Sequence, residues 1–567
     1  MKTLSSLKVA CMVCVFCVAT AMLSLAQDTL TTLATFDGRN GASPYMVLTQ
    51  GADGNFYGTT YEGGFTNDCP GGCGTVFEMT PDDTLTTLYN FCSQANCSDG
   101  SYPIGALVQA ADGAFYGTTQ DGGTHGWGTV FKIRPTGKLT TIYNFCTRQN
   151  CADGAEPVAG LVQGRNGNFY GTTRGGGLIN LCLYGCGTVF EITPTGRLTT
   201  LYNFCILTNC ADGNEPFGQL VLAANGNFYG ETLYGGSSVY EKGTIFEITP
   251  GGYLTTLFSF NGTNGSGPQG GLIQATSGDL FGITGGGGSN GGGTIFRVTP
   301  RGKLSTVYNF CSLSGCADGV YPYGPVVQGT DGNFYGTTSG QDFSGGTIFE
   351  TDAGGVLTTL YNFCSLPGCS DGGDPLAGLL QATDGMFYGT TSVGGSGRDG
   401  TVFSLSTGLG PFVKTQPLSA DEGATIGIFG QGFTRSSVVQ FDGVQATSVK
   451  LYGANLLEVK VPAGALTGSV TVTTGGTTLT SNQQFNVLPQ VLSFSPPSGP
   501  VGTQVTITGS GFMQTQGVGF GDNVPAQFTV NSDTQITAIV PSGAQTGPVG
   551  VLTKGGTGIS SKTFTVN

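Results

Sequence analysis

One seven-residue stretch constrains this chain more than any other feature: GNFYGTT at positions 54–60, which returns with drift six more times before residue 400. Its central glycine stands at Gly58, Gly117, Gly171, Gly230, Gly282, Gly336 and Gly389, in steps of 52 to 59 residues. A period of this size belongs to a propeller or another repeat architecture, where each unit buries its apolar face only against its neighbours. Every unit offers four candidate strands. A short apolar run, such as 106–110 or 378–382, precedes a two-residue turn. Asp53-Gly54, Asp112-Gly113, Asn166-Gly167, Asn225-Gly226, Asp331-Gly332 and Asp384-Gly385 all suit a type I′ hairpin, which needs positive φ at both positions; Ser277-Gly278 is the exception. The FYGTT strand follows, with an aromatic pair expected to pack between neighbouring sheets. The third strand opens at Gly74, Gly128, Gly187, Gly243, Gly293, Gly346 and Gly400, each followed by Thr-Val-Phe or Thr-Ile-Phe. The fourth is LTTLYNF at 85–91, with counterparts at Leu139, Leu198, Leu254, Leu304 and Leu357. Period-2 alternation predicts Leu85, Thr87, Tyr89 and Phe91 on one face.

The fourth strand also occurs before the first unit, at 30–36, and is missing after the seventh, where 400–405 runs out into Thr407-Gly408. A closed ring repairs both defects and removes the exposed terminal edges. The prediction is an all-β chain: a seven-bladed β-propeller over 27–408, closed by the N-terminal strand. An open β-solenoid would need caps that the sequence does not supply. Past Gly408 a second period of about 80 residues takes over, Gly423-Ala-Thr-Ile…Gly430-Gln-Gly432-Phe433 being answered by Gly502-Thr-Gln-Val…Gly509-Ser-Gly511-Phe512. Short alternating strands at this spacing predict two immunoglobulin-like sandwiches, 409–488 and 489–567.

The repeat resembles the Gloeobacter/Verrucomicrobia (GloVer) tandem-repeat family of secreted bacterial proteins, on DGNFYGTT at 331–338, GGTIFE at 345–350 and LTTLYNF at 357–363. The likeness covers about residues 28–405 and implies export and a repeat scaffold. It implies no activity, so no catalytic residue carries over. The chain departs from the pattern in its added cysteines and in its fifth copy, Asp279-Leu280-Phe281-Gly282-Ile283. The C-terminal pair resembles IPT/TIG domains, which in exported proteins implies spacer or surface-interaction modules.

Residues 1–26 read as a secretory signal: Lys2 and Lys8 ahead of an apolar core at 9–25, with Ser24-Leu25-Ala26 as the cleavage site. The rival reading is a retained membrane anchor. Cleavage would remove Cys11, Cys14 and Cys17 from 17 cysteines, leaving 14, and would leave 19 basic against 35 acidic residues, a charge of −16. An even cysteine number fits an oxidising, extracytoplasmic setting, whether periplasm, cell surface or medium. The acidic balance opposes nucleic-acid or anionic-membrane partners. No later segment approaches the ~20 apolar residues of a span. A monomer is expected.

Five links after the fourth strand carry Cys-x4-Cys: Cys92/Cys97, Cys146/Cys151, Cys205/Cys210, Cys311/Cys316 and Cys364/Cys369. The two equivalent links without them lack both residues together, which favours disulfides within each loop. Cys69/Cys73 and Cys182/Cys186 form two more local pairs, between second and third strands. Zinc would need four convergent ligands, and no cofactor is expected. An Asp follows each Cys-x4-Cys pair (Asp99, Asp153, Asp212, Asp318, Asp371) as an expected cap of backbone amides, with calcium as the alternative. In an up-and-down sheet both cysteine-bearing loop types emerge on one side, the tight turns on the other, and long loops on a rigid scaffold carry binding. The irregular aromatics of those loops, Trp127, His125, Tyr61, Tyr102, Tyr184, Tyr234, Tyr240, Tyr321 and Tyr323, are the candidate ligand contacts, with a glycan or a surface protein as partner. No catalytic residues are assigned: a single histidine leaves little room for triads, and Glu62, Asp121, Glu156, Glu215, Glu231 and Asp342 are scattered carboxylates. A non-catalytic binding protein is the leading expectation. A polysaccharide-active enzyme and a purely structural envelope component are its rivals.

Overall fold

The computed structural model describes residues 29–65, 68–177, 182, 184–236, 242–340, 345–521 and 524–567. The expected signal segment, Tyr240 and Asp342 lie outside the described residues. Among the described residues every regular element is a strand or a short 3-10 turn, and no helix is long and apolar enough to cross a membrane.

The organising stretch forms a strand at Phe56–Thr60 in which all five residues are buried. Its side chains leave on alternate sides, so one aromatic serves each neighbour. Tyr57 meets Phe115 of the next repeat at 4.1 Å between ring centroids, and Phe56 meets Tyr388 of the seventh repeat at 4.1 Å. Gly58 lies between them because a Cβ there would come within 2.5 Å of the Phe77 ring and 2.9 Å of Leu48. The third strand's phenylalanine thus packs directly on backbone.

Among the described residues the repeats form seven antiparallel sheets; five are ordered first to fourth strand, and those of the fourth and fifth repeats add a short strand at Asn214–Pro216 and Ser266–Pro268, paired to the second strand. In the first sheet the strands are Thr49–Gln50, Phe56–Thr60, Thr75–Met79 and Leu85–Asn90. The first strand is shorter than expected: two residues, as again at Val108–Gln109 and Leu380–Gln381. Residues just before it turn toward the next sheet, where a Cβ on Gly105 would meet the Ala159 carbonyl at 2.8 Å. Thr29–Thr35 completes the seventh sheet by pairing antiparallel with Thr401–Ser406, Leu30 opposite Leu405. Seven hydrophobic clusters fill the spaces between successive sheets, and one of them joins Val402 and Tyr388 to Phe56 and Phe77.

The fourth strand corrects one expectation. Val76 pairs with Tyr89 but Phe77 pairs with Thr87, so Leu88 is an extra residue in a β-bulge. The bulge turns Tyr89 to the side opposite Leu85 and Thr87. Leu85 accordingly packs with Phe77 and Met79 toward the seventh sheet, while Tyr89 and Phe91 pack toward the second. The same shift recurs in the other sheets, even in the pairing of Thr29–Thr35. Leucine at this position carries no sequence mark of a bulge.

The cysteine-bearing links after the fourth strand correct a second. Read from the sequence as plain loop, each contains a short hydrogen-bonded turn, 3-10 in its bonding but left-handed at its central residue, that ends on its second cysteine: Ala95–Cys97, Gln149–Cys151, Thr208–Cys210, Ser314–Cys316 and Pro367–Cys369. The turn closes when that cysteine's amide donates to the carbonyl three residues back. Cys151 donates to Arg148 at 3.0 Å, Cys316 to Leu313 at 2.9 Å and Cys369 to Leu366 at 3.0 Å. These second cysteines are half-buried and hold left-handed backbone, with φ of 52° at Cys151, 53° at Cys316 and 51° at Cys369. Left-handed cysteine is uncommon, so nothing in the spacing announces it.

Beyond residue 413 two units each pack sheets around their own core: the first packs two four-stranded sheets and a two-stranded one around Phe441 and Phe485, the second two sheets around Phe520 and Phe564. The first unit sits against the tight-turn side of the repeats. Asn455 donates to the Asp53 carbonyl at 3.2 Å, Gln416 to the Gln109 carbonyl at 2.6 Å, and the Phe412 amide to Thr383 at 3.0 Å.

Candidate functional site

Each repeat is entered through a residue followed by proline, and these residues share an unusual backbone. Ser43, Tyr102, Glu156, Glu215, Tyr321 and Asp374 all have φ between 51° and 56°, with Gly267 at 62°. Left-handed backbone at side-chain-bearing residues is uncommon and strained, and it persists only where surroundings enforce it. Here the enforcing contact is a stitch between repeats. The Tyr102 amide donates to the Cys73 carbonyl at 2.8 Å, Glu156 to Trp127 at 3.0 Å, Glu215 to Cys186 at 2.9 Å and Tyr321 to Gly292 at 2.8 Å. Ser43 makes the same bond at 2.9 Å to Asp399 of the seventh repeat.

The stitch gathers the variable side chains of an otherwise monotonous chain. The pre-proline residues, those after each proline (Tyr45, Tyr323) and those after each FYGTT (Tyr61, Arg174) differ from repeat to repeat. Tyr45, Tyr61 and Tyr102 form a run of tilted rings, with centroids 5.2 Å and 4.8 Å apart. The Tyr102 hydroxyl donates to the Pro70 carbonyl at 3.4 Å, inside the loop closed by Cys69 and Cys73. Arg174 Nε meets Glu215 at 3.0 Å, and its NH1 lies 3.9 Å from Glu156.

Charges from distant repeats reach one another here. Burial raises the Tyr323 hydroxyl's pKa, and the nearby Tyr45, Arg174 and Asp374 also act on it. Those four residues come from the sixth, first, third and seventh repeats, so residues of distant repeats face one region, the mouth. Burial, with Glu156 beside it, pushes the Asp121 carboxyl up to about 6. Burial and Asp121 push Tyr61 up to about 12, so its hydroxyl stays a neutral donor. Asp374 is 5% exposed; its Oδ2 accepts from Ser392 at 3.0 Å, while its buried Oδ1 has no partner.

The mouth therefore brings together Tyr61, Tyr102 and Tyr323 of the expected aromatics, and Glu62, Asp121, Glu156 and Glu215 of the expected carboxylates. Tyr45 was missed, although its place after Ser43-Pro44 matches that of Tyr323 after Tyr321-Pro322. His125 is exposed, as are Tyr184, Tyr234 and Tyr321, at 66%, 47% and 43%. Among the described residues no ring stacks on these four or on half-buried Trp127. Two shallow cavities of about 340 and 410 Å³ lie elsewhere, beside Lys132 and Arg134 and beside Arg435 and Lys450, and neither holds an expected site residue.

Comparison with known proteins settles the family. The Gloeobacter/Verrucomicrobia repeat model matches residues 20–182 and 180–403, and the IPT/TIG domain model matches 413–487 and 489–566. The chain is a member of the Gloeobacter/Verrucomicrobia repeat family. Among curated proteins none matches it. Solved structures similar to it include a fungal alcohol oxidase in complex with copper, at 12% identity, covering 95% of this chain and 99% of that one with a TM-score of 0.40. The extracellular domain of a putative hybrid two-component system from B. thetaiotaomicron shares 10% identity over 94% and 58%, TM-score 0.45. A surface glycan-binding protein from Prevotella bryantii shares 19% over 27% and 38%, TM-score 0.21. Likenesses this loose leave function to the chain's own residues.

The Gloeobacter/Verrucomicrobia repeats frame the mouth with stapled loops. All seven local cysteine pairs are disulfides. Cys69–Cys73 and Cys182–Cys186 close the loops between second and third strands. Cys92–Cys97, Cys146–Cys151, Cys205–Cys210, Cys311–Cys316 and Cys364–Cys369 close the links between repeats. The sulfurs of Cys69, Cys73, Cys92 and Cys97 lie within 4.8 Å of one another, and those of Cys182, Cys186 and Cys205 likewise. Two pairs of one repeat thus converge, which their sequence separation concealed. Four thiolates so placed would suit zinc, whereas oxidised sulfurs are not thiolate donors. The aspartates after the Cys-x4-Cys pairs are buried caps. Asp153 accepts from Tyr143 at 2.7 Å, the Thr147 amide at 2.9 Å and hydroxyl at 2.7 Å, and the Arg148 amide at 3.1 Å. Burial alone would raise its pKa; these donors outweigh burial and hold it below the usual carboxylate value. Glu231 replaces the first threonine of FYGTT and is 1% exposed; its Oε2 accepts from the Gly271 amide at 3.0 Å, while its buried Oε1 has no partner.

Proposed function

We propose that this protein is a secreted or cell-surface, non-catalytic binding protein: a seven-bladed β-propeller, closed by its N-terminal strand, whose mouth holds a glycan. The IPT/TIG units serve as spacer or docking modules. The observation that carries the reading is the run of Tyr45, Tyr61 and Tyr102 rings, with centroids 5.2 Å and 4.8 Å apart, at the entry to the first two repeats. Flat rings beside carboxylates and hydroxyls offer stacking for the apolar faces of sugar rings and acceptors for their hydroxyls. The first sandwich covers the opposite, tight-turn side, which leaves the stapled loops free for a partner. The seven inter-sheet clusters and the pairing of Leu30 with Leu405 support the closed propeller. The seven disulfides and the signal-like start support export.

A glycan array followed by calorimetry on any hit tests the binding role. Wild-type protein is expected to retain at least one oligosaccharide, and Tyr61→Ala with Tyr102→Ala is expected to lose it. An array without hits, or variants that bind as the wild type does, would retire the reading.

A further inference from the structure

Two disulfides meet in the first repeat because the backbone brings them there. Its cysteines run Cys69-x3-Cys73-x18-Cys92-x4-Cys97, and the third repeat has the same spacing residue for residue at Cys182, Cys186, Cys205 and Cys210. Cys73 stands just before Gly74 and Cys92 just after Phe91, and the Phe91 amide donates to the Gly74 carbonyl at 3.0 Å. The Phe204 amide makes the same bond to Gly187 at 3.0 Å, between Cys186 and Cys205. Thr75 pairs with Asn90, and Thr188 with Asn203, one step further along each ladder. Strand register therefore holds the buried Cys73 and Cys92 side by side, whichever oxidation state their sulfurs have. Cys69 and Cys97 are only half-buried, so each pair keeps one member open to solvent. All four sulfurs lie within 4.8 Å of one another. Zinc with Zn–S bonds of ~2.3 Å spaces four tetrahedral sulfurs ~3.8 Å apart, which fits inside that span. Cys146–Cys151, Cys311–Cys316 and Cys364–Cys369 have no second pair in their repeats.

We propose that Cys69, Cys73, Cys92 and Cys97 form a two-state centre: two disulfides when oxidised, one tetrathiolate zinc site when reduced. Each disulfide takes two electrons and two protons from an external dithiol, which leaves as its own disulfide. The four thiols then release four protons as their thiolates bind one zinc ion. The centre adjoins the ring run, since the Tyr102 amide donates to the Cys73 carbonyl at 2.8 Å and its hydroxyl to the Pro70 carbonyl at 3.4 Å.

The test uses the full chain, reduced with a phosphine, supplied with zinc and desalted through a competing chelator, its metal then measured by plasma mass spectrometry. The reduced wild type is expected to hold zinc that the oxidised chain does not. Cys69→Ser with Cys73→Ser should hold about one equivalent less, since two ligands do not make a structural site. Cys311→Ser with Cys316→Ser removes an isolated pair and should leave the zinc content unchanged. Cobalt in place of zinc should give the visible bands of a tetrahedral thiolate site, weakened in the first variant and kept in the second. Cys69→His offers the metal a nitrogen in the same place and should retain the equivalent, which a fold merely loosened by a lost staple would not. The proposal falls if reduction brings no zinc, or if the Cys311 and Cys316 variant loses as much as the Cys69 and Cys73 variant. It falls too if the reduced, zinc-loaded chain differs from the oxidised one in circular dichroism, because unfolded thiols would then be scavenging metal.

Discussion

The Thr383 amide donates to Gln50 Oε1 at 3.1 Å across 333 residues of sequence. The bond is the far end of a series. Ala52 donates to Gln109 at 2.9 Å, Ala224 to Gln274 at 2.8 Å, Thr276 to Gln328 at 2.9 Å and Thr330 to Gln381 at 3.1 Å. In each, the glutamine ending one repeat's first strand satisfies the turn of the repeat before it. Gln50 does for the seventh repeat what Gln109 does for the first.

Replacing Gln50 by alanine should therefore destabilise the protein about as much as Gln274→Ala, by about 1 kcal/mol each in urea denaturation. A Gln50→Ala variant as stable as wild type, beside a weakened Gln274→Ala, would mean that the first and seventh repeats are not coupled as the others are.

The stapled loops and the core differ in what they contribute. Phe131 is fully buried against Phe91 at 5.2 Å and over Gly117. Truncation to alanine opens a cavity between two sheets and should cost about 3–5 kcal/mol. Removing one five-residue staple, Cys205→Ser with Cys210→Ser, should cost about 2 kcal/mol or less, since so small a ring restricts the unfolded chain little. Denaturant midpoints of the two variants check the order, and a staple loss exceeding the Phe131 loss would reverse it.

Glu231 makes stability pH-dependent. Full burial pushes its carboxyl up to about 8, against which the Gly271 amide works. A carboxyl whose folded pKa exceeds its unfolded value binds its proton more tightly when folded, so this contribution is fully present below about pH 4.5 and fades as pH rises toward 8. The expected change is on the order of a few kcal/mol. Glu231→Thr, restoring the residue found in most other repeats, should flatten melting temperature against pH over that window. A slope unchanged by the substitution would place its origin elsewhere.

Much of this was legible in the sequence because a repeat reports on itself. Seven copies of FYGTT, and Leu30 ahead of the first unit with no counterpart after the seventh, sufficed to predict which strands pair. The cysteine pairs were legible for the same reason, being lost or kept together. Four features were not. The bulge at Leu88 leaves no composition trace, so Tyr89 was placed on the wrong side. The 3-10 turns ending at Cys151, Cys316 and Cys369 are too short for any periodicity to mark them. The first strand's length is decided by close approach between repeats at Gly105, a tertiary effect. The mouth was visible only in part, because its members sit at equivalent positions of different repeats and share no residue type. Aligning the residues that follow each X-Pro would have found Tyr45 beside Tyr323.

The two C-terminal units meet through a pair of acids, and that contact should respond to pH. Glu422 of the first unit accepts from the Gly464 amide at 2.8 Å, and burial together with Asp533 of the second unit pushes its carboxyl up to about 7. The units are also joined by Gln514, which accepts from the Thr467 amide at 2.8 Å, and by Lys554, which donates to the Thr467 carbonyl at 3.2 Å. These two bonds involve no carboxylate, so they persist while Glu422 titrates. Below about pH 4.5 both the folded and unfolded forms of Glu422 carry the proton, and its contribution is at its largest. As pH rises toward 7 the folded state must ionise beside Asp533, and the contribution fades. Glu422→Gln keeps the neutral shape and removes the titration, so the melting temperature of this variant should exceed that of wild type above pH 7 and match it near pH 4.5. A variant indistinguishable from wild type at both ends of the range would show that the acids do not govern the contact.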